Sequence, residues 1–573
     1  MISLTIDGVN VEVEQGATIL DAAKKAGIKI PTLCHIKELS PTGACRICIV
    51  EVEGRPGFIP SCAYPAETGM KVSTSSPKVL NARKTIVELL LASHPFTCLT
   101  CTRNQSCELQ DLASQYNIEN VPYSGKKRHY YTDFSSPAIV RDTGKCILGG
   151  RWVRICEEIQ GVSAIDFTKR GFDTMVLPAF NRDIAETGCV NCGQCVLACP
   201  TGALHEVSSL ERVIGTLQRG KKYMIAQMAP AIRVSLGEFF NLPAGSNVTY
   251  KVASALRRIG FQKVFDTDFT ADLTILEEGT ELVERVKKGG PFPMFTSCCP
   301  GWVKFAEHNY PEYLENISTC KSPQQMMGSL IKKYYAKKMG INPEDLFVVS
   351  IMPCTAKKYE AVRPEFANGS GPDIDAVLTT RELAKLIERF GISFKDLPDQ
   401  PFDEILGTTS GSGDIFAASG GVMESALRTG YNLITGKDLT EIEFKDLRGF
   451  DGVKESQVEI DGITLKVAVV NRLENIRKLI EKIKKGEAEY HFIEVMTCPG
   501  GCVGGGGQIH QYDSDVIKER IRAIYNLDTQ RSIRLSYKNP KIQELYKEYL
   551  QEPGSHLSHK LLHTRYFQRS KKS

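Results

Sequence analysis

A chain of 573 residues has room for several domains and at least one large core. With 42% hydrophobic and 24% charged residues it reads as an ordinary water-soluble globular protein, and a net charge of +4 singles out neither a nucleic acid nor a membrane surface as partner. No apolar stretch approaches the length of a membrane span, and the N-terminus has no basic region followed by an apolar run, so the expected setting is the cytoplasm.

The first residues, "MISLTIDGVNVEVEQGATIL", alternate like a hairpin of two strands and lead into an amphipathic helix and then a cysteine loop. Nineteen cysteines need a cause: thirteen precede residue 200, six lie between 298 and 502, and the last 71 residues hold none. In a reducing compartment grouped cysteines bind metal or do redox chemistry more often than they form disulfides. The first group is Cys34, Cys45, Cys48 and Cys62, spaced C-x10-C-x2-C-x13-C. A long loop with C-x2-C and a distant fourth cysteine is how plant-type ferredoxins hold one 2Fe-2S cluster. Zinc or four buried thiols is the alternative, although zinc sites usually pair two closely spaced couples.

The second group, "HPFTCLTCTRNQSC", supplies His94, Cys98, Cys101 and Cys107. One histidine and three cysteines suit a 4Fe-4S cluster, and the spacing alone also permits zinc. The third, "CVNCGQCVLACP", is the bacterial ferredoxin run C-x2-C-x2-C-x3-C-P, with Cys189, Cys192, Cys195 and Cys199. In two-cluster ferredoxins the last cysteine of each run serves the other cluster. The partner run is "GKCILGGRWVRIC", where Cys146 and Cys156 stand at the outer positions but Gly149 and Trp152 replace the middle cysteines. Cys156 therefore completes the cluster of Cys189, Cys192 and Cys195. The sister cluster keeps only Cys146 and Cys199, and is expected to be absent, with Trp152 filling its space.

From about residue 210 the texture becomes alternating strands and helices. "KYMIAQMAP", "PFPMFTSCCPGW", "EDLFVVSIMPCTAKK" and "YHFIEVMTCPGGC" each read as a buried strand ending near Cys or Pro, with helices such as "ADLTILEEGTELVERVKKG" and "TRELAKLIERF" between them. Such alternation implies parallel sheets covered by helices, with ligands beyond the carboxyl ends of the strands. Cys299, Cys354, Cys498 and Cys502 would then converge on one buried point and hold a further iron–sulfur centre; four ordinary core cysteines is the plainer alternative. The glycines of "CPGGCVGGGGQ" would let the backbone approach that centre. There is no phosphate-binding loop and no G-x-G-x-x-G fingerprint, so no flavin or nicotinamide site is expected on this chain. The basic tail "HKLLHTRYFQRSKKS" reads as a solvated, disordered end.

Three motifs, "FTSCCPGWV", "IMPCTAKKYEAVRPE" and "EVMTCPGGCVGGGGQ", resemble those of the iron-only (FeFe) hydrogenases, and the similarity runs from the N-terminus to about residue 550. The resemblance implies an α+β multidomain chain: a plant-type ferredoxin β-grasp over 1–78, a histidine/cysteine-ligated 4Fe-4S domain over 79–136, a two-cluster ferredoxin-like domain with one degenerate site over 137–209, and a large two-lobed α/β hydrogenase domain over 210–573. It implies an H-cluster, a 4Fe-4S cubane joined to a di-iron subsite that carries CO, cyanide and azadithiolate. Cys299, Cys354, Cys498 and Cys502 would be the cubane ligands, Cys502 being the bridge. Cys298 would exchange protons with the azadithiolate, and Glu278, Ser318 and Glu281 would continue the relay to the surface. Lys357 would hydrogen-bond a cyanide, and Ala229, Pro230, Gln324, Met352 and Met496 would line the pocket. Cys320 matches no ligand position and is expected to be a small core residue.

The implied reaction is reversible hydrogen oxidation and proton reduction, with electrons travelling by cluster. "HIKELSPTGACRICIVEVEG" and "HPFTCLTC" also resemble the N-terminal modules of NADH-linked complexes. The expected setting is thus a hetero-oligomeric, electron-bifurcating hydrogenase, with ferredoxin and flavin/NAD-binding subunits as partners and maturation proteins to install the cluster. The alternatives are a stand-alone ferredoxin hydrogenase or a subunit feeding another oxidoreductase. A more remote one is a non-catalytic hydrogen sensor or iron–sulfur assembly factor, against which Cys298 and the acid relay stand.

Overall fold

The computed structural model describes residues 1–124, 131–367, 371–509 and 512–569. The N-terminal alternation does form a hairpin. Strands Ile2–Ile6 and Val9–Val13 pair antiparallel around Asp7 and Gly8, both at positive φ as a two-residue turn requires. They join Lys71–Ser73, Ile49–Val52 and Ile59–Pro60 in a five-stranded sheet. Helix Ile19–Lys25 starts at a capping box made by Thr18 and Asp21 and packs Ile19, Ala22 and Ala23 into the same core as Cys48 and Cys62.

Helix Pro77–Ala92, capped by Ser76 with Pro at its start, leads into the second cysteine group and the short helix Glu108–Gln115. The next unit pairs strand Ile139–Asp142 with Leu204–Glu206 and places two short helical segments, Arg151–Arg154 with the π-turn Ile155–Ile159 and Gln194–Ala198, over one apolar core.

The large C-terminal part is built on two four-stranded sheets. In one, Lys263–Asp266, Tyr223–Met228, Leu346–Met352 and Ala376–Thr379 lie in that order and all parallel. In the other, Met294–Phe295, Phe492–Met496 and Ile463–Asn471 are parallel, and Val453–Ile460 closes the edge as an antiparallel hairpin partner. That edge strand alternates exposed and half-buried residues up to the buried Ile460, as a half-solvated strand does, and departs from the all-parallel expectation. Helix Thr267–Lys288 starts at Asp266, whose side chain accepts from Asp268 N, and ends at Gly289 in the left-handed region after a basic last turn. It lies between the two halves: Phe269, Leu273 and Leu276 belong to one core, and Ala271, Ile275 and Leu282 to the other. Among the described residues no helix is long and apolar enough to cross a membrane.

One expectation is extended here and one changes. Gly501 and Gly505 of "CPGGCVGGGGQ" line the cavity described below, and the run also packs backbone on backbone: a Cβ at Gly505 would lie 2.2 Å from Pro353 O, and one at Gly506 would lie 2.1 Å from Cys192 O. The C-terminal tail is docked up to Arg569 rather than solvated, with Thr564 N donating to Thr319 O at 2.7 Å and Arg569 paired to Glu307 and Glu365; its last residues, 570–573, lie outside the described part. The reason is pairing: segment 562–564 hydrogen-bonds beside the 319–321 stretch, a non-local partner invisible in composition.

The ferredoxin-like unit is fastened to the catalytic part by polar contacts. Gln160 Nε2 donates to Thr497 O at 3.1 Å, Gln194 Nε2 to Gly504 O at 2.9 Å, and Thr355 Oγ1 to Asn191 O at 2.6 Å. Arg381 binds Glu206 with 2.9 Å between Nη2 and Oε2, and donates to Gly506 O at 2.9 Å. Burial would push the Glu206 carboxyl up, but the Arg381 guanidinium outweighs it and holds the group well below the ordinary range. Replacing Arg381 by Met leaves Glu206 buried without its counter-charge. The expected loss is roughly 3–5 kcal/mol of stability at that interface, read as a lower unfolding temperature; an unchanged unfolding temperature contradicts this.

Candidate active site

Four strands of the two C-terminal sheets deliver their carboxyl ends to one place. Strand Tyr223–Met228 runs into Ala229 and Pro230, Met294–Phe295 into Cys298 and Cys299, Leu346–Met352 into Cys354, and Phe492–Met496 into Cys498 and Cys502. These residues line a single cavity with about 860 Å³ free of protein atoms. Its wall also holds Gln324, Met352, Lys357 and Met496, so all six pocket positions expected from the sequence are brought together with the four cubane cysteines and Cys298. The sequence reading missed Thr267, Ala271, Phe416 and Thr497 in the same wall. Thr267, Ala271 and Phe416 lie on elements with no cysteine to flag them, whereas Thr497 directly precedes Cys498.

The donor set suits an iron–sulfur group. Burial pushes the Cys354 thiol up to about 12 and those of Cys498 and Cys502 up as well, so they become thiolates only against a positive centre. Lys357 is the charged group in the wall. Its Nζ is held by Cys298 O at 3.1 Å and by Glu360 Oε2 at 3.0 Å. Burial lowers its affinity for a proton, but Glu360 outweighs this and the ammonium stays charged. Glu360, one helical turn after Lys357, also takes Gln324 Nε2 at 2.9 Å and Ser322 Oγ at 2.9 Å. That i, i+3 spacing was the legible signal for Glu360. Gln324 Oε1 is buried and finds no hydrogen-bond partner among the described residues, an acceptor left available to the cavity's occupant.

Glu278 and Glu281 do share a face of the long helix. The Ser318 hydroxyl lies 3.3 Å from Glu281 Oε2, and its nearness to Glu278 pulls that carboxyl down against the larger effect of burial. Glu281 Oε1 is paired with Arg285 at 2.6 Å, and Oε2 accepts from Thr319 N and Thr319 Oγ1, each at 3.0 Å. Glu278 is only 2% exposed, and burial pushes its carboxyl up to about 8, so at neutral pH it holds a proton. Cys320 is fully buried, and Ser297 Oγ donates to its carbonyl at 2.6 Å.

The other cysteine groups also assemble. Cys34, Cys45, Cys48 and Cys62 are all buried, Cys48 Sγ lies 3.3 Å from Cys62 Sγ, and hydrogen bonds from Cys45 and Cys62 pull the Cys34 thiol down. His94 contacts Pro95 O through Nδ1 at 3.0 Å, while its buried Nε2 has no hydrogen-bond partner among the described residues, as a metal-ligating nitrogen requires. Cys98 is exposed, and Cys101 and Cys107 are half-buried beside it. Cys156, Cys189 and Cys195 share one core, and Cys192 both follows Cys189 in sequence and lines the catalytic cavity.

Trp152 occupies that same core, 3% exposed, packed together with Cys146 and Cys199. Cys199 Sγ donates to Thr201 O at 3.1 Å, and Cys146 Sγ accepts from Leu148 N at 3.4 Å. At Gly149 a Cβ would already stand 3.3 Å from Leu33 O. Two thiols, an indole with no iron-binding atom and a crowded glycine do not fit a 4Fe-4S cluster. His94, Cys45 and Cys146 border one cleft, so both N-terminal groups meet at this position.

Comparison with known proteins agrees with the site. Residues 222–506 match the family described as iron only hydrogenase large subunit, C-terminal domain, and residues 514–569 match the iron hydrogenase small subunit. Residues 1–77 match a 2Fe-2S iron-sulfur cluster binding domain, 83–122 the NADH-ubiquinone oxidoreductase-G iron-sulfur binding region, and 183–205 a 4Fe-4S binding domain. The NADP-reducing hydrogenase subunit HndD of Solidesulfovibrio fructosivorans is 48% identical over 583 residues, covering 100% of both chains. Iron hydrogenase 1 of Clostridium pasteurianum is 42% identical over 573 residues, 99% of this chain and 100% of that one. A solved structure of FeFe-hydrogenase HydA1 from Chlamydomonas reinhardtii aligns with a TM-score of 0.58 at 41% identity, covering 63% of this chain and 99% of that chain. With four cysteines from three loops meeting in one apolar cavity, and with full-length relatives of this kind, the chain belongs to the iron-only (FeFe) hydrogenases.

Proposed function

We propose that this chain is the hydrogen-activating subunit of a multisubunit enzyme, interconverting hydrogen with two protons and two electrons. The observation that carries it is the cavity itself: Cys299, Cys354, Cys498 and Cys502 face it together with Cys298 and the charged Lys357. An H-cluster held by those four thiolates, with Cys502 as the bridge, would supply the redox chemistry on hydrogen. Everything else falls to the chain. Cys298 holds the proton nearest the reaction. Glu278, already protonated at neutral pH, passes one to the Ser318 hydroxyl, and Ser318 passes one to Glu281. Lys357 presents a fixed positive charge to an anionic ligand in the cavity, and Met352, Met496 and Phe416 exclude water.

Cys34, Cys45, Cys48 and Cys62, in a β-grasp of the plant ferredoxin type, would hold a 2Fe-2S cluster, and His94, Cys98, Cys101 and Cys107 a 4Fe-4S cluster. Cys156, Cys189, Cys192 and Cys195 would hold a second 4Fe-4S cluster, and Cys192 lines the catalytic cavity. These groups would supply electron transfer to the cavity. The site of Cys146, Gly149, Trp152 and Cys199 carries none, and Trp152 holds that half of the fold by packing. The domains follow as 1–78, 79–136, 137–209 and 210–573. Nicotinamide and flavin belong on partner subunits, as the name of the NADP-reducing relative suggests, with ferredoxin as second electron partner and bifurcation between them. A cytoplasmic setting suits nineteen cysteines of which none is in a disulfide.

An infrared spectrum of the matured protein tests this reading. Bands in the CO and cyanide stretching region, with hydrogen turnover, support it, and their absence removes it. Replacing Cys298 by Ala leaves those bands in place while turnover falls by about 10²–10⁴-fold; an undiminished rate rules out the relay.

The buried carboxyls also fix the sign of a pH effect. The folded-state value of Glu278, about 8, lies above its ordinary 4.5, so the native state holds a proton that the unfolded chain has already released in that window. The stability this group contributes is complete below pH 4.5 and is lost as pH rises through 8. Glu494, pushed up to about 7, and Asp272, to about 6, act in the same direction. Replacing Glu278 by Gln should make the fall in unfolding temperature between about pH 6 and pH 9 shallower than in the native chain. An equal slope contradicts the assignment.

A further inference from the structure

The relay described above reaches Glu281, and the hydrogen bonds do not stop there. Thr319 Oγ1 lies 3.0 Å from Glu281 Oε2 and 2.8 Å from His563 Nδ1. His563 Nε2 lies 3.0 Å from Glu277 Oε2. Glu277 is fully buried and also accepts from Tyr546 OH at 2.6 Å, from Gly554 N at 2.9 Å and from Ser558 Oγ. The histidine side chain is 6% exposed, and its ring centroid lies 4.2 Å from that of His559, which is exposed. Backbone pairing fixes this arrangement: Lys321 N donates to Leu562 O and Thr564 N to Thr319 O, each at 2.7 Å.

We propose that Thr319, His563 and Glu277 form an outer branch of the proton path, in which the His563 imidazole takes up and returns the proton of Glu281 through the Thr319 hydroxyl. The inference rests on the hydrogenase reading. The Thr319 hydroxyl has one proton and two acceptors. When it points to Glu281, His563 Nδ1 must donate to the threonine oxygen. When it points to His563, Glu281 keeps its bonds from Thr319 N, Ser318 and Arg285. A proton arriving on Glu281 Oε2 can therefore move to Thr319 Oγ1 as the threonine's own proton moves to His563 Nδ1. The result is an imidazolium paired with ionised Glu277 and neighbouring His559. No electron moves, and the reverse sequence returns the proton.

The charges around the imidazole support that role. The long helix presents Glu277, Glu281 and Arg285, the 319–321 stretch presents the Cys320 thiol, the C-terminal helices present Tyr546, and His559 lies on the preceding turn. Ligand atoms of Glu281, Cys320 and His563 lie within 4.8 Å of one another, a composition that would also suggest a cation site. Arg285 already neutralises Glu281, and both ring nitrogens are engaged. Burial and the surrounding carboxylates keep the Cys320 thiol protonated. The arrangement therefore serves a proton.

Neither Thr319 nor His563 touches the reacting atoms; both are positioning residues that act through Glu281. The test uses matured full-length protein with His563→Gln, Thr319→Val and Thr319→Ser. For His563→Gln and Thr319→Val, the expected result is unchanged CO and cyanide infrared bands and hydrogen evolution lower by about tenfold, less than for a residue in direct proton transfer. The pH–rate profile should also change shape. Thr319→Ser, which keeps a hydroxyl, should restore both. As an activity-independent readout, the ring-nitrogen NMR signals of His563 should shift once Glu281 is replaced by Gln. Rate profiles across pH that coincide with the native enzyme's, or His563 signals indifferent to Glu281, overturn the branch. A native protein that shows the infrared bands but no hydrogen turnover overturns the hydrogenase reading instead, and the branch with it.

Discussion

Four sulfur atoms from three separate loops have to reach one apolar cavity, and much of the molecule follows from that demand. Loops at the carboxyl ends of parallel strands can supply them, because side chains there converge on the crevice beyond the sheet. The donors come from two sheets, so the sheets must be locked together at a fixed distance. The helix Thr267–Lys288 does this by placing successive residues in both cores. The same helix carries the acids of the proton path, so the element that sets the spacing of the metal site also sets the spacing of the relay. A buried thiol gives up its proton only to a positive partner, which makes the cavity's geometry and its occupant mutually dependent.

The electron side obeys a related constraint of close approach. The 505–507 backbone lies so near Cys192 and Pro353 that no side chain fits between them. The ferredoxin-like unit is therefore seated on the wall of the catalytic cavity rather than hung from it by a linker. At its other end, a Cβ at Gly202 would lie 2.6 Å from Cys101 Sγ, and the Arg154 guanidinium bonds the carbonyls of Cys34 and Ser40. The unit is a junction that touches the other cysteine groups directly. Its Trp152 is buried in the same core as Cys146 and Cys199.

Much of this was legible in the sequence, for a physical reason. Metal ligands recur at spacings set by the metal, and buried strands announce themselves as apolar runs, so the cysteine groups and the strands ending at Cys298, Cys354 and Cys498 could be read directly. Glu278 and Glu281 could be placed on one helical face by spacing alone. Other features depend on partners far away in the chain. Glycine-rich "CVGGGGQ" suggests approach to a ligand, and only the fold shows that backbone from Pro353 and Cys192 packs against it as well. A basic tail of mixed composition reads as solvated, yet it pairs with a stretch more than two hundred residues earlier. Thr319 and Glu277 carry no motif, and their meaning comes wholly from His563 lying between them.

That late pairing has a consequence for biosynthesis. The residues that brace Thr319 and surround Glu277 are translated after every cysteine of the cavity: Tyr546, Ser558, Leu562, His563 and Thr564 all follow Cys502 by more than forty residues. While this stretch is still inside the ribosome, the central helix presents Glu277 without its hydrogen-bond donors, and the groove beside Thr319 stays open. The cysteine-lined cavity, by contrast, draws its last ligand from Cys502, which emerges earlier. The order of synthesis thus supplies the cysteines of the metal-binding wall before the residues that enclose Glu277 and Thr319.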